Sequence, residues 1–331
     1  MDGIVTGAAP PLAKLDPREE HFRVPSAYPG LSLFLRYLPP SRQLAVGEKA
    51  GSEKVVLYVH GGTFPSALSI AHRFDGRSWR DELCDAGFHV WGLDFHGFGA
   101  SDPYPEMVEP AETHPPLGRT SGCARQLEAA VRFIVGRHGV SRVSLVAHSW
   151  GTLVAGAFVA NRPELVERMV FFGPIARRTP QGERQRLPGW RLISLKDQWD
   201  RFVADVPAGE RAVLSRWHFD EWGARYLDTD RGSRTRSPTA VKTPSGAFQD
   251  IYDAWAGEFA YDPAQVTAPV AIIRGEWDSL CADADARWLF DAFRNSPIRR
   301  DIKIARATHL MHLEENRFAL YRETECFLKG D

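Results

Sequence analysis

The chain has 331 residues, of which 44% are hydrophobic and 25% are charged, and its formal net charge is −1 at pH 7. These values are ordinary for a globular protein of one large domain, or of one domain with an insertion. A net charge this small provides no field that draws the chain to nucleic acid or to an anionic membrane, so we expect neither partner. No apolar run approaches the roughly 18 residues that a membrane span needs.

The cysteines and the first residues also limit the function. The four cysteines are far apart and form no Cys-x-x-Cys or Cys/His cluster, so the sequence predicts neither a disulfide framework nor a metal site. The N-terminus lacks the basic and apolar regions of a secretory signal, and we therefore expect a cytoplasmic location. Residues 1–20, rich in Ala and Pro, are predicted to form a surface arm.

The predicted elements then alternate between strand and helix. Two extended runs on either side of Tyr28-Pro29-Gly30 predict a hairpin. Short β-branched runs predict strands buried on both faces, and segments with helical spacing separate them. The predicted strands are 54–59, 88–93, 143–147, 168–172, 270–274 and 301–305, and the predicted helices are 77–86, 121–139, 152–162, 282–293 and a final one near 320–328. This order predicts an α/β fold with a mostly parallel sheet covered by helices on both faces.

The alternation stops between about Gly173 and Glu258, a stretch rich in tryptophan and without a clear strand. We interpret residues 174–258 as a mostly helical cap, inserted into a core of residues 21–173 and 259–331. Trp199, Trp217 and Trp222 are expected to line an apolar roof that contacts the substrate.

Ser149 is the predicted nucleophile. It lies in Ala147-His148-Ser149-Trp150-Gly151, between a buried strand and a helix. A serine hydroxyl needs a neighbouring base, and a sharp strand-to-helix turn that presents it tolerates only small residues two positions away on either side. Ala147 and Gly151 satisfy that requirement.

The acid and the base are expected later in the chain, at the ends of strands. Asp278 follows the strand 270–274, and His309 follows the strand 301–305, 31 residues further on. Both therefore fall at the carboxyl edge of the sheet, where open α/β folds build their sites. The alternatives are His312 for the base, and Glu276, Asp283 and Asp285 for the acid. Asp94 also ends a strand, and we expect it to hold the turn that follows.

A tetrahedral oxyanion needs two fixed hydrogen-bond donors. We expect them to be the backbone N–H groups of Trp150 and of Gly62, with Thr63 as the second choice to Gly62. Gly62 lies in a glycine loop (residues 60–65) after the first buried strand. Thr63, Phe64 and His148 are further candidates for contact with the substrate, although His148 and His60 are also interpreted as residues that tie loops together.

The motifs named above resemble those of the α/β-hydrolase superfamily, specifically the cap-bearing branch of esterases and lipases. The resemblance rests on His60-Gly61-Gly62, on residues 94–101 (DFHGFGAS), on the Ser149 turn, on Gly275-Glu276-Trp277-Asp278 and on Thr308-His309. It implies an eight-stranded sheet, a Ser–His–Asp triad and a cap after the sixth strand. It disfavours haloalkane dehalogenases and epoxide hydrolases, which place an aspartate where this chain has Ser149.

The sequence thus predicts a serine hydrolase that cleaves a carboxylic ester of a small or medium-sized, partly apolar substrate without a cofactor. A thioester, a lactone, an amide or a C–C bond could be cleaved by the same residues. A ligand-binding receptor on a hydrolase scaffold is the alternative of another class. The sequence leaves the oligomeric state open.

Overall fold

The computed structural model describes residues 13–41, 54–180 and 186–330. Within these ranges it contains strands β1 (Glu20–Pro25), β2 (Ser32–Leu38), β3 (Val55–Val59), β4 (His89–Asp94), β5 (Val143–His148), β6 (Val166–Phe172), β7 (Trp190–Ser194), β8 (Ala240–Pro244), β9 (Val270–Gly275) and β10 (Arg299–Ile304). Its α-helices are α1 (Trp79–Asp85), α2 (Thr120–His138), α3 (Gly151–Asn161), α4 (Leu195–Val203), α5 (Arg216–Leu227), α6 (Gly246–Trp255), α7 (Asp283–Ala292) and α8 (Arg317–Lys329).

Eight of the strands form one sheet in the order β1-β2-β4-β3-β5-β6-β9-β10. The predicted hairpin is confirmed, because β1 pairs antiparallel with β2. From β4 to β10 the neighbouring strands are parallel. Every residue of β3, β5 and β9 is buried, as expected for strands covered on both faces. The predicted mostly parallel α/β fold is confirmed.

Helices cover both faces of this sheet and bury two apolar clusters. One face packs against side chains from α2, α3, α6 and α7, among them Leu127, Leu153 and Leu289. The other packs against α1 and α8, with Leu83 and Leu320 fully enclosed. In the described ranges no helix is both long enough and apolar enough to cross a membrane.

The segment predicted as a helical cap also contains a two-stranded antiparallel sheet, β7 paired with β8. The interpretation of this segment as free of strands was therefore wrong. Its last helix, α6, packs into the main core through Ala247, Ile251 and Ala254. A third apolar group, the roof cluster, joins α4, α5 and the strand pair to loops at the carboxyl edge of the main sheet. Its buried members are Phe64, Leu68, Phe74, Ile193, Phe202, Leu214, Phe219, Trp222, Tyr226, Leu227, Val241, Leu310 and Leu313.

The predicted N-terminal arm lies partly outside the described residues, which begin at residue 13. The part that is described is anchored to the core. Glu19 is fully buried and its carboxylate pairs with Arg36 at 2.8 Å and with Arg80 at 2.6 Å. Asp16 pairs with Arg73 at 2.6 Å. Pro17, Arg18 and Glu20 are exposed, so the described part of the arm lies on the surface, and the buried carboxylates of Asp16 and Glu19 attach it to the core.

Candidate active site

Ser149 follows β5 at a sharp turn into α3. Its φ is +54°, a left-handed conformation that is uncommon for a residue with a side chain. The backbone N–H of Ser149 donates to the carbonyl oxygen of Phe172 at the end of β6, which fixes the turn at the carboxyl edge of the sheet. Strained backbone of this kind persists where the surrounding structure determines it, and it is often found at functional sites.

The small residues two positions on either side of Ser149 are required by close backbone contacts. A Cβ atom at Gly151 would lie 2.5 Å from the carbonyl oxygen of His60 and 2.8 Å from that of Val59. Ala147 is fully buried in the sheet between β3 and β6. These contacts give the physical reason for the pattern from which the nucleophile was predicted.

His309 and Asp278 meet Ser149 at the same edge. Nε2 of His309 lies 2.7 Å from Oγ of Ser149, and its Nδ1 lies 3.0 Å from Oδ1 of Asp278. Because a carboxylate can only accept, Nδ1 carries the proton and Nε2 is free to accept the serine hydroxyl proton. Oδ1 of Asp278 also accepts from the backbone N–H of Leu280 at 2.9 Å and of Cys281 at 3.1 Å, which orients the carboxylate. We refer to Ser149, Asp278 and His309 as the triad.

The rival residues have other partners. Oε2 of Glu276 accepts from the backbone N–H of Arg306, Asp283 pairs with Arg274 and Lys303, and Asp285 pairs with Arg178. Both ring nitrogens of His312 are buried and have no hydrogen-bond partner in the described part of the chain.

Glycines make room for the triad, and the sequence reasoning missed their role. Gly173 follows β6 with a φ of +52°, and a Cβ atom there would lie 3.0 Å from Nδ1 of His309 and 3.1 Å from Oδ2 of Asp278. A Cβ atom at Gly275 would lie 2.1 Å from the carbonyl oxygen of Ala307. The backbone of each glycine therefore approaches the loops that carry the acid and the base more closely than a side chain would allow.

The glycine loop of residues 60–65 lies directly against the nucleophile. A Cβ atom at Gly61 would lie 3.3 Å from Cβ of Ser149, and one at Gly62 would lie 2.9 Å from Cβ of Ala247. Among the described residues, the backbone N–H groups of Gly62, Thr63 and Trp150 donate to no protein acceptor. The indole of Trp150 turns away and donates to Asp250 on α6 at 2.9 Å. All three N–H groups thus remain available as oxyanion donors, and the choice between Gly62 and Thr63 stays a prediction.

The histidines around the triad hold loops in place. His60 bridges the carbonyl oxygen of Gly61, at 2.7 Å, and the backbone N–H of Phe95, at 3.1 Å. Nε2 of His148 lies 3.0 Å from the carbonyl oxygen of His309. Burial holds the pKa of His148 well below its usual range, so its neutral ring donates this bond. This bond attaches the His148 ring to the His309 loop, whereas its Nδ1 has no hydrogen-bond partner in the described part of the chain, and the substrate contact of His148 stays a prediction.

Asp94 holds the turn that follows β4, as expected. Its carboxylate accepts from the backbone N–H of Ser66 at 3.0 Å and from that of Ala100 at 3.1 Å.

The aromatic residues predicted to contact substrate lie in different environments. Trp222 and Phe64 are buried together in the roof cluster, with ring centroids 5.1 Å apart. Trp199 is partly buried against that cluster. Trp217 is 78% exposed, so its predicted place in the roof is wrong; it points outward from α5, whereas Trp222 points inward.

Two polar groups near the triad, the buried Glu314 and the partly accessible Arg201, have no counterpart in the sequence predictions. Glu314 accepts hydrogen bonds from the backbone N–H and the hydroxyl of Thr308, next to His309. Arg201, on α4, donates to Oγ1 of Thr63 at 2.6 Å. Neither residue belongs to a sequence motif. Arg201 contacts a loop that is distant in the sequence, and Glu314 contacts Thr308 within an irregular segment. Among the described residues no group of three or more His, Cys, Asp or Glu side chains could hold a metal ion.

A family model described as "alpha/beta hydrolase fold" matches residues 54–316 of the chain. Homoserine O-acetyltransferase from Deinococcus radiodurans is 25% identical over 286 residues, which cover 81% of this chain and 73% of that protein. An epoxide hydrolase 2 from Siraitia grosvenorii is 30% identical over 123 residues, which cover 36% of this chain and 32% of that protein.

The fold is also similar to solved structures. A serine hydrolase from Cycloclasticus zankles superimposes with a TM-score of 0.60 at 14% identity, over 94% of this chain and 98% of that one. At this level of identity the likeness concerns the fold alone.

Proposed function

The chain belongs to the α/β hydrolase family, and from the contacts around Ser149 we propose that it is a serine hydrolase that cleaves a carboxylic ester through an acyl-enzyme intermediate. The observation that carries the proposal is the continuous set of hydrogen-bond distances from Asp278 through His309 to Ser149, of 3.0 and 2.7 Å. This is the arrangement in which a neutral imidazole removes a serine proton.

Each residue has one role in the proposed reaction. Ser149 attacks the carbonyl carbon while Nε2 of His309 takes its proton, and Asp278 stabilises the imidazolium that forms. The N–H groups of Trp150 and of Gly62 or Thr63 donate to the oxyanion. His309 then protonates the leaving alcohol, and the same steps with water release the acid and restore Ser149.

The substrate is expected to be small or medium-sized and partly apolar, because Phe64 and Leu310, which adjoin the oxyanion loop and His309, belong to the apolar roof cluster. Thioester, lactone, amide and C–C bond cleavage remain alternatives, since they use the same groups. Epoxide hydrolysis is disfavoured, because the family resemblance drawn from the sequence implies an aspartate nucleophile for epoxide hydrolases, whereas this chain has Ser149.

An ester, thioester, lactone and amide panel tests the bond type. The proposal predicts that the ester is hydrolysed with the highest kcat/KM and that Ser149→Ala abolishes all turnover. If another member of the panel is hydrolysed with a higher kcat/KM than the ester, its bond type replaces the ester in the proposal. Turnover that survives in Ser149→Ala would refute the mechanism.

Acyl transfer to an alcohol is a second candidate, favoured by the relative named as a homoserine O-acetyltransferase, with which the chain shares 25% identity over most of its length. The acyl-enzyme would be the same, and only the acceptor would differ. Adding increasing concentrations of small alcohols, homoserine among them, to the ester assay separates the two. A hydrolase keeps releasing free acid, whereas a transferase forms the new ester and accelerates as the alcohol concentration rises.

A further inference from the structure

Arg201 is a cation without an anion. It lies on α4, between the roof cluster and the oxyanion loop, and its side chain is partly accessible. Among the described residues no carboxylate lies within ion-pair distance of it, whereas most other arginines of the cap, such as Arg216, Arg225 and Arg236, are paired. Its Nη1 donates to Oγ1 of Thr63 at 2.6 Å and lies 3.4 Å from Oε1 of Gln198.

This arrangement is unfavourable for the protein alone. Burial lowers the pKa of Arg201 to about 10. The interaction with Tyr226 offsets part of this effect, Arg191 adds repulsion, and Asp205 raises the pKa from beyond ion-pair distance. A half-buried cation without a carboxylate partner costs free energy, and an anion that accepts from its N–H groups would recover that cost.

Arg201 also lies close to the reacting groups. Its partner Thr63 is next to Gly62 in the loop whose backbone packs against Cβ of Ser149. The charge of Arg201 is among the causes that lower the pKa of His148, after burial and the neighbouring histidines. A ligand group that reaches the guanidinium can therefore belong to the same molecule whose carbonyl group lies at Ser149.

We propose that Arg201 is a specificity-determining residue that binds a free carboxylate carried by the substrate, so that the enzyme prefers esters of which one part ends in a carboxylate. The planar guanidinium presents paired N–H donors that match the two oxygens of a carboxylate. This inference rests on the proposed serine hydrolase function and names the substrate class within it.

The test compares acids with their neutral carboxamides, which have nearly the same shape. Monomethyl glutarate carries its carboxylate on the acyl side of the ester, and 4-acetoxybutanoate carries it on the alcohol side. Each acid is compared with its own neutral carboxamide. We expect the wild type to prefer the acid of at least one pair by roughly 10- to 100-fold in kcat/KM, the range of charge-assisted hydrogen bonds. In Arg201→Met that ratio should fall to near one, mainly through a higher KM, and Arg201→Lys should give an intermediate ratio.

Two control variants separate recognition from a structural contact. Arg216→Met removes a cation from the neighbouring helix α5, where Arg216 is 63% exposed and paired with Asp220, and should keep the wild-type ratio. Thr63→Val removes the hydroxyl that contacts Arg201 but keeps the guanidinium, and it should also keep the ratio. If Arg201 only tied α4 to the oxyanion loop, Thr63→Val would behave like Arg201→Met.

The proposal is overturned if the wild type shows ratios near one for both pairs, or if Arg201→Met reduces turnover of acid and carboxamide equally. Should none of the four esters be turned over, protection against a fluorophosphonate decides: glutarate should slow the labelling of Ser149 in the wild type and not in Arg201→Met, and equal labelling rates contradict the inference. Failure of the proposed function looks different, because Ser149 would then not be labelled at all.

Discussion

At the scale of single residues, Gly173 shows how closely the backbone approaches the triad. It ends β6, and its missing side chain leaves space for Nδ1 of His309 and Oδ2 of Asp278, both within about 3 Å of where a Cβ atom would be. Its φ of +52° adds a second requirement for glycine, since a side chain in this conformation costs roughly 1–2 kcal/mol.

We therefore predict that Gly173→Ala lowers the free energy of unfolding by about 1–2 kcal/mol and reduces kcat by roughly 10- to 100-fold, because the acid and the base shift by a few tenths of an ångström or more. Urea denaturation and steady-state kinetics measure the two effects. The control is Gly136→Ala, on the exposed face of α2, where an added Cβ meets nothing within 4 Å. Equal behaviour of the two variants would show that the close approach at Gly173 is unimportant.

Glu314 gives a prediction about stability and pH. Burial raises the pKa of its carboxyl to about 7, against the hydrogen bonds from Thr308 that lower it. The folded state thus binds this proton more tightly than the unfolded state, so the contribution of Glu314 to stability is greatest below pH 4.5 and is lost as the pH rises to about 7. A pKa raised from 4.5 to about 7 corresponds to a contribution of roughly 3 kcal/mol.

The free energy of unfolding of Glu314→Gln should therefore rise relative to that of the wild type as the pH increases from 4.5 to 8. The difference between the two proteins is the quantity to measure, because burial lowers the pKa of His72 and of His312 to about 3, which gives the wild type an opposite slope below pH 6.5. Denaturation at several pH values provides it. The neighbouring Glu315, half-exposed and paired with Arg211, offers the control variant Glu315→Gln, which should show no such trend. A constant difference for Glu314→Gln would refute the raised pKa.

The triad residues could be predicted from the sequence because each follows a strand of recognisable pattern, in a fixed chain order. Gly173, Arg201 and Glu314 could not. Their importance depends on distances to residues that are remote in sequence or on burial in irregular loops, which neither spacing nor composition records. The same reason explains the wrong prediction for Trp217, whose side-chain direction depends on how α5 packs.

At the scale of elements, the six parallel strands of the main sheet were predicted to within two residues or so. In β3, β5 and β9 burial on both faces leaves apolar runs, whereas only one residue of the edge strand β10 is buried. The pair β7 and β8 was missed. Leu192 of β7 is 43% exposed, and its partner strand lies about 50 residues away, so neither an apolar run nor a hairpin turn marks it. The prediction that all of residues 174–258 form one cap was also too simple, because α6 contributes side chains to the main core.

Helix α5 allows a prediction about how the roof is held. Trp222 is fully buried between Phe64 and Tyr226, and its indole donates to the carbonyl oxygen of Leu68 at 2.9 Å. We predict that Trp222→Ala lowers the free energy of unfolding by about 3–5 kcal/mol, the usual cost of truncating a buried tryptophan, and that it impairs turnover by loosening the roof over the triad.

Trp217, on the same helix, is the matched control. It is largely exposed, so Trp217→Ala should change stability by no more than about 0.5 kcal/mol. Denaturant unfolding of both variants measures the contrast. Similar losses in the two would mean that the roof cluster contributes little to the docking of α5.

At the scale of the whole molecule, one sheet edge carries the entire proposed catalytic machinery. The turns after β3, β5, β9 and β10 supply the glycine loop, Ser149, Asp278 and His309, and the end of β6 supplies Gly173. The roof cluster, to which α4 and α5 contribute, packs on loops at this edge, and Ser149 is only 4% exposed.

The most direct test of the central claim is the reaction of the wild-type protein with a fluorophosphonate, followed by intact-mass and peptide mass spectrometry. The account predicts one adduct per chain on the peptide that contains Ser149, no adduct in Ser149→Ala, and slow labelling in His309→Gln, which lacks the base. A wild-type protein that stays unlabelled, or an adduct that persists in Ser149→Ala, would contradict it.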